Sequence, residues 1–321
     1  CIRDRHNIST IDSKQIPHRI SVIMPCYNGE RYLEESIQCV LNQSYKDIEL
    51  IIVDDGSTDD SKDIIKTYGK RVRLFEQTNK GPYPSRNLGI HHSTGEFIAF
   101  LDADDYWAPD CLEKLYNGMI QTNADLSYCG WQNILENVDN GPLYVPPAYE
   151  KGDLFASFLK GCPWPIHAAL ILKEIVDKIN GFSTRCFSAM DYDFWIRTSA
   201  VTQNITLVPE VLAFYRWHDQ GQISSVKWKQ ILNARIVRHD FIVNNPSLVS
   251  HIPKKNLNKL LNGQITQQAY EAFWKRDMDS AQHLFRAMLR FGYWQRKDLK
   301  YMVLSLLPAR IFKKIIIFLD K

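Results

Sequence analysis

The first part of the chain alternates short apolar runs with segments whose apolar residues recur at helical spacing. Five runs predict buried strands, because they are apolar almost throughout: Ile20–Met24, Ile48–Val53, Val72–Phe75, Phe97–Leu101 and Leu126–Cys129. The segments between them predict helices: Glu30–Asn42, Ser61–Tyr68, Pro84–His91 and Asp110–Thr122. Because strands that alternate with helices form parallel βαβ units, the pattern predicts an α/β fold with a mostly parallel, twisted sheet flanked by helices.

The pattern changes after residue 130. Residues 131–166 are richer in Gly, Pro and Asn, which predicts loops and one short helix near Asp153–Leu159. The next segments predict a helix and two short strands: Met190–Ala200, Asn204–Val208 and Leu212–Arg216. From about Ser225 onward the spacing predicts helices alone: Val226–Asn244, Leu257–Trp274, Asp277–Leu289 and Asp298–Leu319.

These changes divide the chain into three parts. Residues 19–130 and 131–225 are predicted to form the two halves of one α/β domain, and residues 226–321 a helical C-terminal extension. The length of 321 residues exceeds one typical domain, and the hydrophobic fraction of 45% supports a sizeable core.

Composition and charge exclude several classes of protein. The formal net charge is only +3, which argues against nucleic acid as a partner. The seven cysteines show no CxxC spacing, which argues against a structural zinc site or a disulfide framework. Reduced thiols, and the lack of an apolar segment typical of a signal peptide in residues 1–19, predict a cytoplasmic protein.

Three polar clusters follow predicted strands: Pro25–Asn28, Asp54–Ser57 and Asp102–Asp105. The carboxyl ends of parallel strands share one edge of a sheet, where ligands bind, so we expect these clusters to lie together. Asp102 and Asp104 are two residues apart, so in an extended segment both carboxylates point the same way. A hard cation, Mn²⁺ or Mg²⁺, binds carboxylate and diphosphate oxygens together. The alternative is a solvated acidic turn or a helix cap.

Residues beside these carboxylates offer contacts for a nucleotide. Tyr27 can stack on a base, and Asp54 and Asp55 can accept a hydrogen bond from a nucleobase N–H. Lys80 and Arg86 can meet phosphates, because Arg86 is near the start of a predicted helix. The alternatives are ordinary packing for Tyr27 and a solvated surface charge for Lys80.

Four segments together resemble the nucleotide-binding half of a family 2 glycosyltransferase with the GT-A fold: Ile20–Asn28, Ile51–Asp60, Asn79–Asn87 and Phe100–Asp105. The resemblance implies a Rossmann-like, mostly parallel sheet, a UDP-sugar donor and a divalent metal. It also implies inverting transfer, and a place among relatives that build bacterial surface polysaccharides.

The resemblance assigns roles to individual residues. The family positions that contact the uracil end of the donor correspond to Pro25, Tyr27 and Asp55, with Asp54 as a neighbour. The DxD segment of the family corresponds to Asp102, Ala103 and Asp104. Within that segment the resemblance makes Asp104 the more direct metal ligand. Arg86 corresponds to the arginine of the family's Ser-Arg-Asn segment.

A segment in the second half, Ser188–Trp195, resembles the part of the family that supplies the catalytic base. Met190 stands where the family often has Glu, so the resemblance points to the following acid, Asp191, as the base. A carboxylate beside an acceptor hydroxyl can take its proton. Asp193 is the alternative base, and Asp191 can in addition cap the helix that follows.

A further segment, Phe214–His218, also resembles the family. It implies that His218 lies near the diphosphate or the metal, and a structural role is the alternative for this histidine. Trp164 and His167 are further candidates for the acceptor region, although no motif includes them.

The end of the chain combines apolar and basic residues. The apolar residues on one side of the predicted helix are Ile311, Phe312, Ile315, Ile316 and Leu319, and the basic ones are Arg310, Lys313, Lys314 and Lys321. This composition is typical of a helix in the plane of an anionic membrane surface, such as the inner face of the plasma membrane. The alternative is a helix that packs its apolar stripe on the extension.

The sequence therefore predicts a metal-dependent enzyme that transfers a sugar from a UDP-sugar to a hydroxyl of a saccharide or lipid-linked saccharide, with inversion. Two alternatives share the acidic α/β site: a sugar-phosphate nucleotidyltransferase, and an inactive protein that binds a nucleotide sugar without turnover. A dinucleotide oxidoreductase is disfavoured, because no GxGxxG follows Ile20–Met24.

Overall fold

The computed structural model describes residues 16–135, 139–186, 188–217 and 227–312. These residues form two compact units. The first unit contains residues 16–154, 163–184 and 197–217, apart from the gap at 136–138. The second contains residues 155–162, 185–196 and 227–312, apart from residue 187.

An eight-stranded sheet forms the centre of the first unit. Its strands in chain order are β1 (Ile16–Cys26), β2 (Ile48–Asp54), β3 (Val72–Glu76), β4 (Gly95–Phe100), β5 (Tyr106–Trp107), β6 (Leu126–Leu135), β7 (Ala169–Leu172) and β8 (Ile205–Trp217). Their order across the sheet is β3-β2-β1-β4-β7-β6-β8-β5. The first four are mutually parallel, β7 is antiparallel to both β4 and β6, β6 is parallel to β8, and β5 is antiparallel to β8.

Among the described residues up to 201, seven α-helices connect or follow these strands. They are α1 (Leu33–Leu41), α2 (Ser61–Thr67), α3 (Pro82–His92), α4 (Cys111–Thr122), α5 (Leu154–Phe158), α6 (Lys173–Lys178) and α7 (Met190–Val201). The central strands are fully buried: Ile23 on β1 pairs with Ile51 on β2 and with Phe100 on β4, and none of the three exceeds 1% exposure. This burial explains why these strands are continuous apolar runs. The predicted α/β fold with a mostly parallel sheet is confirmed.

Strand β8 differs from the prediction of two short strands. Asn204–Val208 and Leu212–Arg216 belong to one strand, whose register with β6 shifts on both sides of Gly130. Pro209, which has no N–H to donate, falls in this irregular region. A Cβ on Gly130 would lie 2.6 Å from the Tyr144 carbonyl oxygen and 3.0 Å from that of Glu210, so the close approach of backbones requires glycine.

The second unit is helical. Its long helices are α8 (Lys227–Asn244), α9 (Lys254–Trp274) and α10 (Met278–Phe291), followed by the short α11 (Leu299–Ser305). The core of this bundle includes Ile265, Phe273, Phe285, Met302 and Phe312. As far as the structure describes it, the predicted helical segment Asp298–Leu319 is interrupted, because α11 ends before Pro308 and a new helical turn begins at residue 309. Residues 313–321 lie outside the described residues.

No helix in the described ranges combines the length and the apolar character needed to cross a bilayer.

Candidate active site

The carboxyl ends of β1, β2 and β4 meet at one edge of the sheet. The register pairs Cys26 with Asp54, and the Asp55 N–H donates to the Cys26 carbonyl oxygen at 2.8 Å. On the other side of β1, the Leu101 N–H donates to the Ile23 carbonyl oxygen at 3.1 Å. The parallel strands therefore bring the three polar clusters to the same edge, as their positions after the strands predict.

Arg86 and Asp102 form an ion pair at this edge. The Arg86 Nη2 atom lies 2.5 Å from Asp102 Oδ1, and the guanidinium stands over the Phe182 ring at 5.3 Å. Arg86 is 3% exposed, while the Asp102 side chain is 28% exposed. Helix α3 positions Arg86, and it begins after Gly81, whose φ of 91° only glycine adopts readily. The pair thus holds a buried cation against a carboxylate that solvent still reaches.

Side-chain hydrogen bonds to its backbone carbonyl oxygens hold the segment that carries the acidic cluster. Ser36 Oγ donates to the carbonyl oxygens of Ala103 at 3.0 Å and Asp105 at 2.8 Å. Arg216 Nη1 donates to the Asp104 carbonyl oxygen at 2.9 Å, and its Nη2 to Glu35 Oε2 at 3.0 Å. These contacts leave Asp102 and Asp104 half-buried, while Ala103 is buried between them.

Sequence reasoning assigned no role to Ser36 or Arg216. Arg216 lies inside the segment Phe214–His218, and an arginine at the end of a predicted apolar strand is the signal that could have drawn attention to it. Ser36 offered no signal, because a serine inside a helix is ordinary until its contacts are known.

Asp105 is buried and faces His167. Its Oδ1 accepts a hydrogen bond from the backbone N–H of Arg216 at 2.8 Å, and its Oδ2 lies 3.2 Å from His167 Nδ1. Burial raises the pKa of Asp105 well above its usual range, and the charges of Asp104 and Asp102 add to this effect. Burial lowers the pKa of His167 to about 4, so its imidazole is neutral at pH 7.

Two residues assigned to the acceptor region are buried in the first unit. His167 is 0% exposed and stacks on Tyr215 with ring centroids 5.7 Å apart. Trp164 is 2% exposed and stacks on Tyr128 at 4.1 Å. Both side chains therefore pack inside the first unit, and the placing of these two residues in the acceptor region stays a prediction.

The residues predicted to meet the base lie beside the acidic segment. Tyr27 is 51% exposed, so one face is open to stacking, whereas Pro25 is buried in β1. Asp54 is buried, and its Oδ2 accepts the N–H groups of Gly56 and Ser57 at 3.2 Å. Its Oδ1 accepts no hydrogen bond from any residue that the structure describes.

Asp55 organises the loop before α3. Its carboxylate accepts the Lys80 N–H at 2.9 Å, the Gly81 N–H at 2.7 Å and the Gln77 side-chain amide at 2.6 Å. Asp55 is 2% exposed, and the Lys80 side chain is exposed. The carboxylate therefore ties the end of β2 to the loop that leads to Arg86.

The residues of the acidic segment fit a divalent cation that is held by only one or two protein carboxylates. In the described ranges no three His, Cys, Asp or Glu side chains converge on a point that could hold a metal ion. Asp102 and Asp104 instead provide two half-buried carboxylates. Mg²⁺ is usually held by one or two carboxylates together with substrate phosphates and water, and this donor set matches that pattern. His218 lies outside the described residues.

The two candidate bases lie in the second unit, in the first turn of α7. Asp191 is half-buried, while Asp193 is 4% exposed. Between them Tyr192 is buried, and its hydroxyl donates to the Phe158 carbonyl oxygen at 2.8 Å. Of the two carboxylates, Asp191 is thus the more accessible to a substrate.

Comparison with known proteins identifies the family of this chain. The profile of the family "Glycosyl transferase family 2" matches residues 21–190. An uncharacterized glycosyltransferase of Haemophilus influenzae is 35% identical over 223 residues, which are 66% of this chain and 84% of that protein. The Escherichia coli UDP-Glc:alpha-D-GlcNAc-diphosphoundecaprenol beta-1,3-glucosyltransferase WfgD is 30% identical over 231 residues, 70% of this chain and 87% of WfgD.

The fold is also found among solved structures. The S. aureus protein TarS, residues 1–349, in complex with UDP-GlcNAc, superposes with a TM-score of 0.62 at 18% identity, covering 91% of this chain and 82% of that one. This likeness confirms the expected GT-A fold. Because the family profile matches more than half of the chain, and related glycosyltransferases align with most of it, the protein belongs to glycosyl transferase family 2 and is a glycosyltransferase.

Proposed function

We propose that this glycosyltransferase transfers a sugar from a UDP-sugar to a hydroxyl of a saccharide or lipid-linked saccharide, with metal dependence and inversion. The observation that carries the proposal is the buried Arg86 paired with Asp102, beside the half-buried Asp104, at the carboxyl edge of the sheet. A cation and carboxylates at this edge suit a diphosphate and its metal. The UDP-GlcNAc complex of TarS supports a UDP-sugar as the donor class.

The base of the donor would lie against the ends of β1 and β2. Tyr27 has an exposed ring for stacking, and Asp54 Oδ1 accepts no hydrogen bond from the described residues. A buried oxygen of this kind is a candidate acceptor for a nucleobase N–H. Asp55 would contribute directly or through the loop that it anchors, and Pro25 would shape the end of β1.

The diphosphate would lie over the acidic segment, beside the Arg86–Asp102 ion pair, with Lys80 as an exposed cation. Asp104 and Asp102 would hold Mn²⁺ or Mg²⁺, with Ala103 between them and His218 as a further ligand. When bound, such a cation neutralises charge that develops on a departing diphosphate. The contacts from Ser36 and Arg216 to the Ala103 and Asp104 carbonyl oxygens keep both carboxylates in place.

Asp191 would act as the general base. Its greater exposure favours it over Asp193, whose carboxylate is buried. The Asp191 carboxylate would take the proton of the acceptor hydroxyl as the oxygen attacks the anomeric carbon from the face opposite the UDP. The proton ends on Asp191, the new glycosidic bond replaces the bond to UDP, and the configuration inverts.

A lipid-linked acceptor is supported by the relative WfgD, whose name specifies a diphosphoundecaprenol-linked sugar. Such an acceptor would place the enzyme at the inner face of the plasma membrane in surface polysaccharide synthesis. The amphipathic segment predicted to serve this contact, from Arg310 onward, lies largely outside the described residues.

The test is UDP release from a panel of UDP-sugars, with a saccharide acceptor and Mn²⁺ or Mg²⁺. We expect turnover with the wild type and its loss in Asp104→Asn, while the control Asp110→Asn, at the start of α4, keeps activity. Pyrophosphate release from UTP and a sugar phosphate would instead indicate a nucleotidyltransferase. Donor binding without turnover for any acceptor would indicate an inactive binding protein. The anomeric configuration of the product, read by NMR, tests inversion.

A further inference from the structure

Residues 294–311 of the second unit carry exposed apolar side chains with basic residues between them. We name this surface the basic apolar face. Its apolar members are between 42% and 58% exposed: Trp294, Leu299, Val303, Leu306 and Ile311. Its basic members are also exposed: Arg296, Lys297, Lys300 and Arg310. Single exposed apolar residues are common on soluble proteins, whereas apolar side chains grouped into a patch mark a contact surface.

Helix α11 organises this surface. Leu299, Val303 and Leu306 are spaced by four and three residues, so they fall on one side of the helix and its last turn. The other side is packed: Met302 is 0% exposed, and Tyr301 stacks on Phe285 with ring centroids 5.3 Å apart. An amphipathic helix that packs on one side carries polar residues on the other, whereas the exposed side of α11 carries Leu299 and Val303. The outer stripe is therefore free to contact something other than this bundle.

The charge of the surface has one sign. The carboxylate of this segment, Asp298, is 1% exposed and accepts hydrogen bonds from the Tyr270 hydroxyl and the Gln295 N–H. Nearby on α9, Glu271 is paired with Lys275 at 2.6 Å. Residues 294–311 thus present positive charge and no exposed carboxylate of their own.

We propose that the basic apolar face docks on an anionic lipid surface, with the α11 stripe entering the interface and the basic side chains among the headgroups. Apolar side chains flanked by Lys and Arg are the composition that anionic interfaces select. A second copy of the chain is a poorer occupant, because a two-fold contact would set the cations of one copy against those of the other. The inference rests on the proposed function in one respect: contact with the membrane would bring the enzyme to a lipid-linked acceptor.

The first test measures flotation of the full chain with vesicles of phosphatidylglycerol and phosphatidylethanolamine, against vesicles of phosphatidylcholine alone. We expect binding to the anionic vesicles only, weakened by salt. Each basic residue near such a surface strengthens binding about fivefold, so Lys297→Gln with Lys300→Gln should weaken it about 25-fold. The control is Lys254→Gln with Lys255→Gln, because Lys255 lies about 22 Å along α9 from Tyr270, beside which α11 packs.

The second test changes the apolar stripe. Val303→Gln with Leu306→Gln should weaken vesicle binding about tenfold, because the stripe can no longer bury its surface in the interface. The control is Val243→Gln, near the end of α8. Val243 is 60% exposed and Val303 is 55% exposed, so the two valines are matched in exposure. Both sites are exposed, so we expect unchanged thermal unfolding in each variant.

Several outcomes would overturn the inference: no flotation of the wild type with anionic vesicles, equal losses in variant and control, or a dimer in sedimentation that Val303→Gln dissolves. UDP binding is measured on the same samples. If UDP binding fails while flotation persists, the proposed donor site is wrong and the lipid contact stands. If flotation fails while UDP binding persists, the lipid contact is wrong and the proposed donor site stands.

Discussion

The guanidinium of Arg86, 3% exposed, is held by the carboxylate of Asp102 at 2.5 Å, while that carboxylate remains 28% exposed. The two residues therefore differ in what a substitution should do. Asp102 neutralises a buried cation in addition to any contact with a ligand. Asp104, two residues later, is half-buried.

This difference separates the two acids experimentally. Asp102→Asn should lower the free energy of unfolding by about 1–3 kcal/mol, because Arg86 loses the charge that compensates its burial. Asp104→Asn should change stability less and abolish metal-dependent turnover. Urea denaturation and UDP release measure the two effects. Equal destabilisation by both substitutions would show that Asp102 has no special link to Arg86.

Arg216 is expected to position the acidic segment. It reaches the Asp104 carbonyl oxygen and Glu35 at once, and its guanidinium lies 4.3 Å from the Tyr32 ring centre. Lysine cannot reproduce this fork, so Arg216→Lys should lower turnover about tenfold and raise the concentration of Mn²⁺ needed for half-maximal activity. Glu35→Gln removes one exposed partner and serves as the milder control. An unchanged Mn²⁺ dependence in Arg216→Lys would exclude this role.

The buried His167 makes stability depend on pH. Its pKa is lowered from 6.5 to about 4 by burial, so below pH 6.5 the unfolded chain binds a proton that the folded chain does not. The contribution of His167 to the free energy of unfolding is fully present above pH 6.5 and is lost as the pH falls towards 4. The total loss is about 3 kcal/mol. Asp105 acts in the opposite direction, because burial raises its pKa above the ordinary value of 3.8. Its contribution to the free energy of unfolding falls as the pH rises above 3.8.

His167→Gln isolates the histidine. The variant should be less stable at pH 7, and its free energy of unfolding should fall less steeply than that of the wild type as the pH is lowered from 6.5. Urea denaturation at several pH values measures both slopes. Parallel slopes for the two proteins would mean that His167 titrates normally in the folded state.

Asp191 and Asp193 make a further pair for comparison. Asp191→Asn should lower kcat by about 10²–10⁴-fold with little change in stability, because it removes a proton acceptor from an accessible position. Asp193→Asn, at a 4% exposed position, should lower stability more. Steady-state kinetics and thermal unfolding distinguish them. Near-normal kcat in Asp191→Asn would remove it from the base role.

The sequence predicted the sheet region well, for a physical reason. Strands such as Ile20–Met24 and Ile48–Val53 are buried on both faces, so their apolar runs are unambiguous, and the polar residues that follow mark the edge of the sheet. Asp54, Asp102 and Arg86 lie at or beside that edge in the structure, as their positions predict.

The parts that sequence reasoning missed depend on contacts between distant residues. Three features join segments far apart in the chain: the antiparallel β7, the single strand β8 whose register with β6 shifts around Gly130, and the buried pair of Asp105 with His167. Apolar spacing carries no information on strand direction or on such pairs. The interruption of the last helical segment before Pro308 is different, because a proline cannot donate the N–H that a continuing helix needs and its position is visible in the sequence.

The central claim is that Arg86, Asp102 and Asp104 hold a uridine diphosphate through a divalent cation. Calorimetric titration of UDP into the full chain, with and without Mn²⁺, tests it most directly, with ADP as the control nucleotide. We expect Mn²⁺-dependent binding of UDP that is about tenfold or more weaker in Asp104→Asn and unchanged in Asp110→Asn. Equal affinity for UDP and ADP, or UDP binding indifferent to both Mn²⁺ and Asp104, would contradict the account.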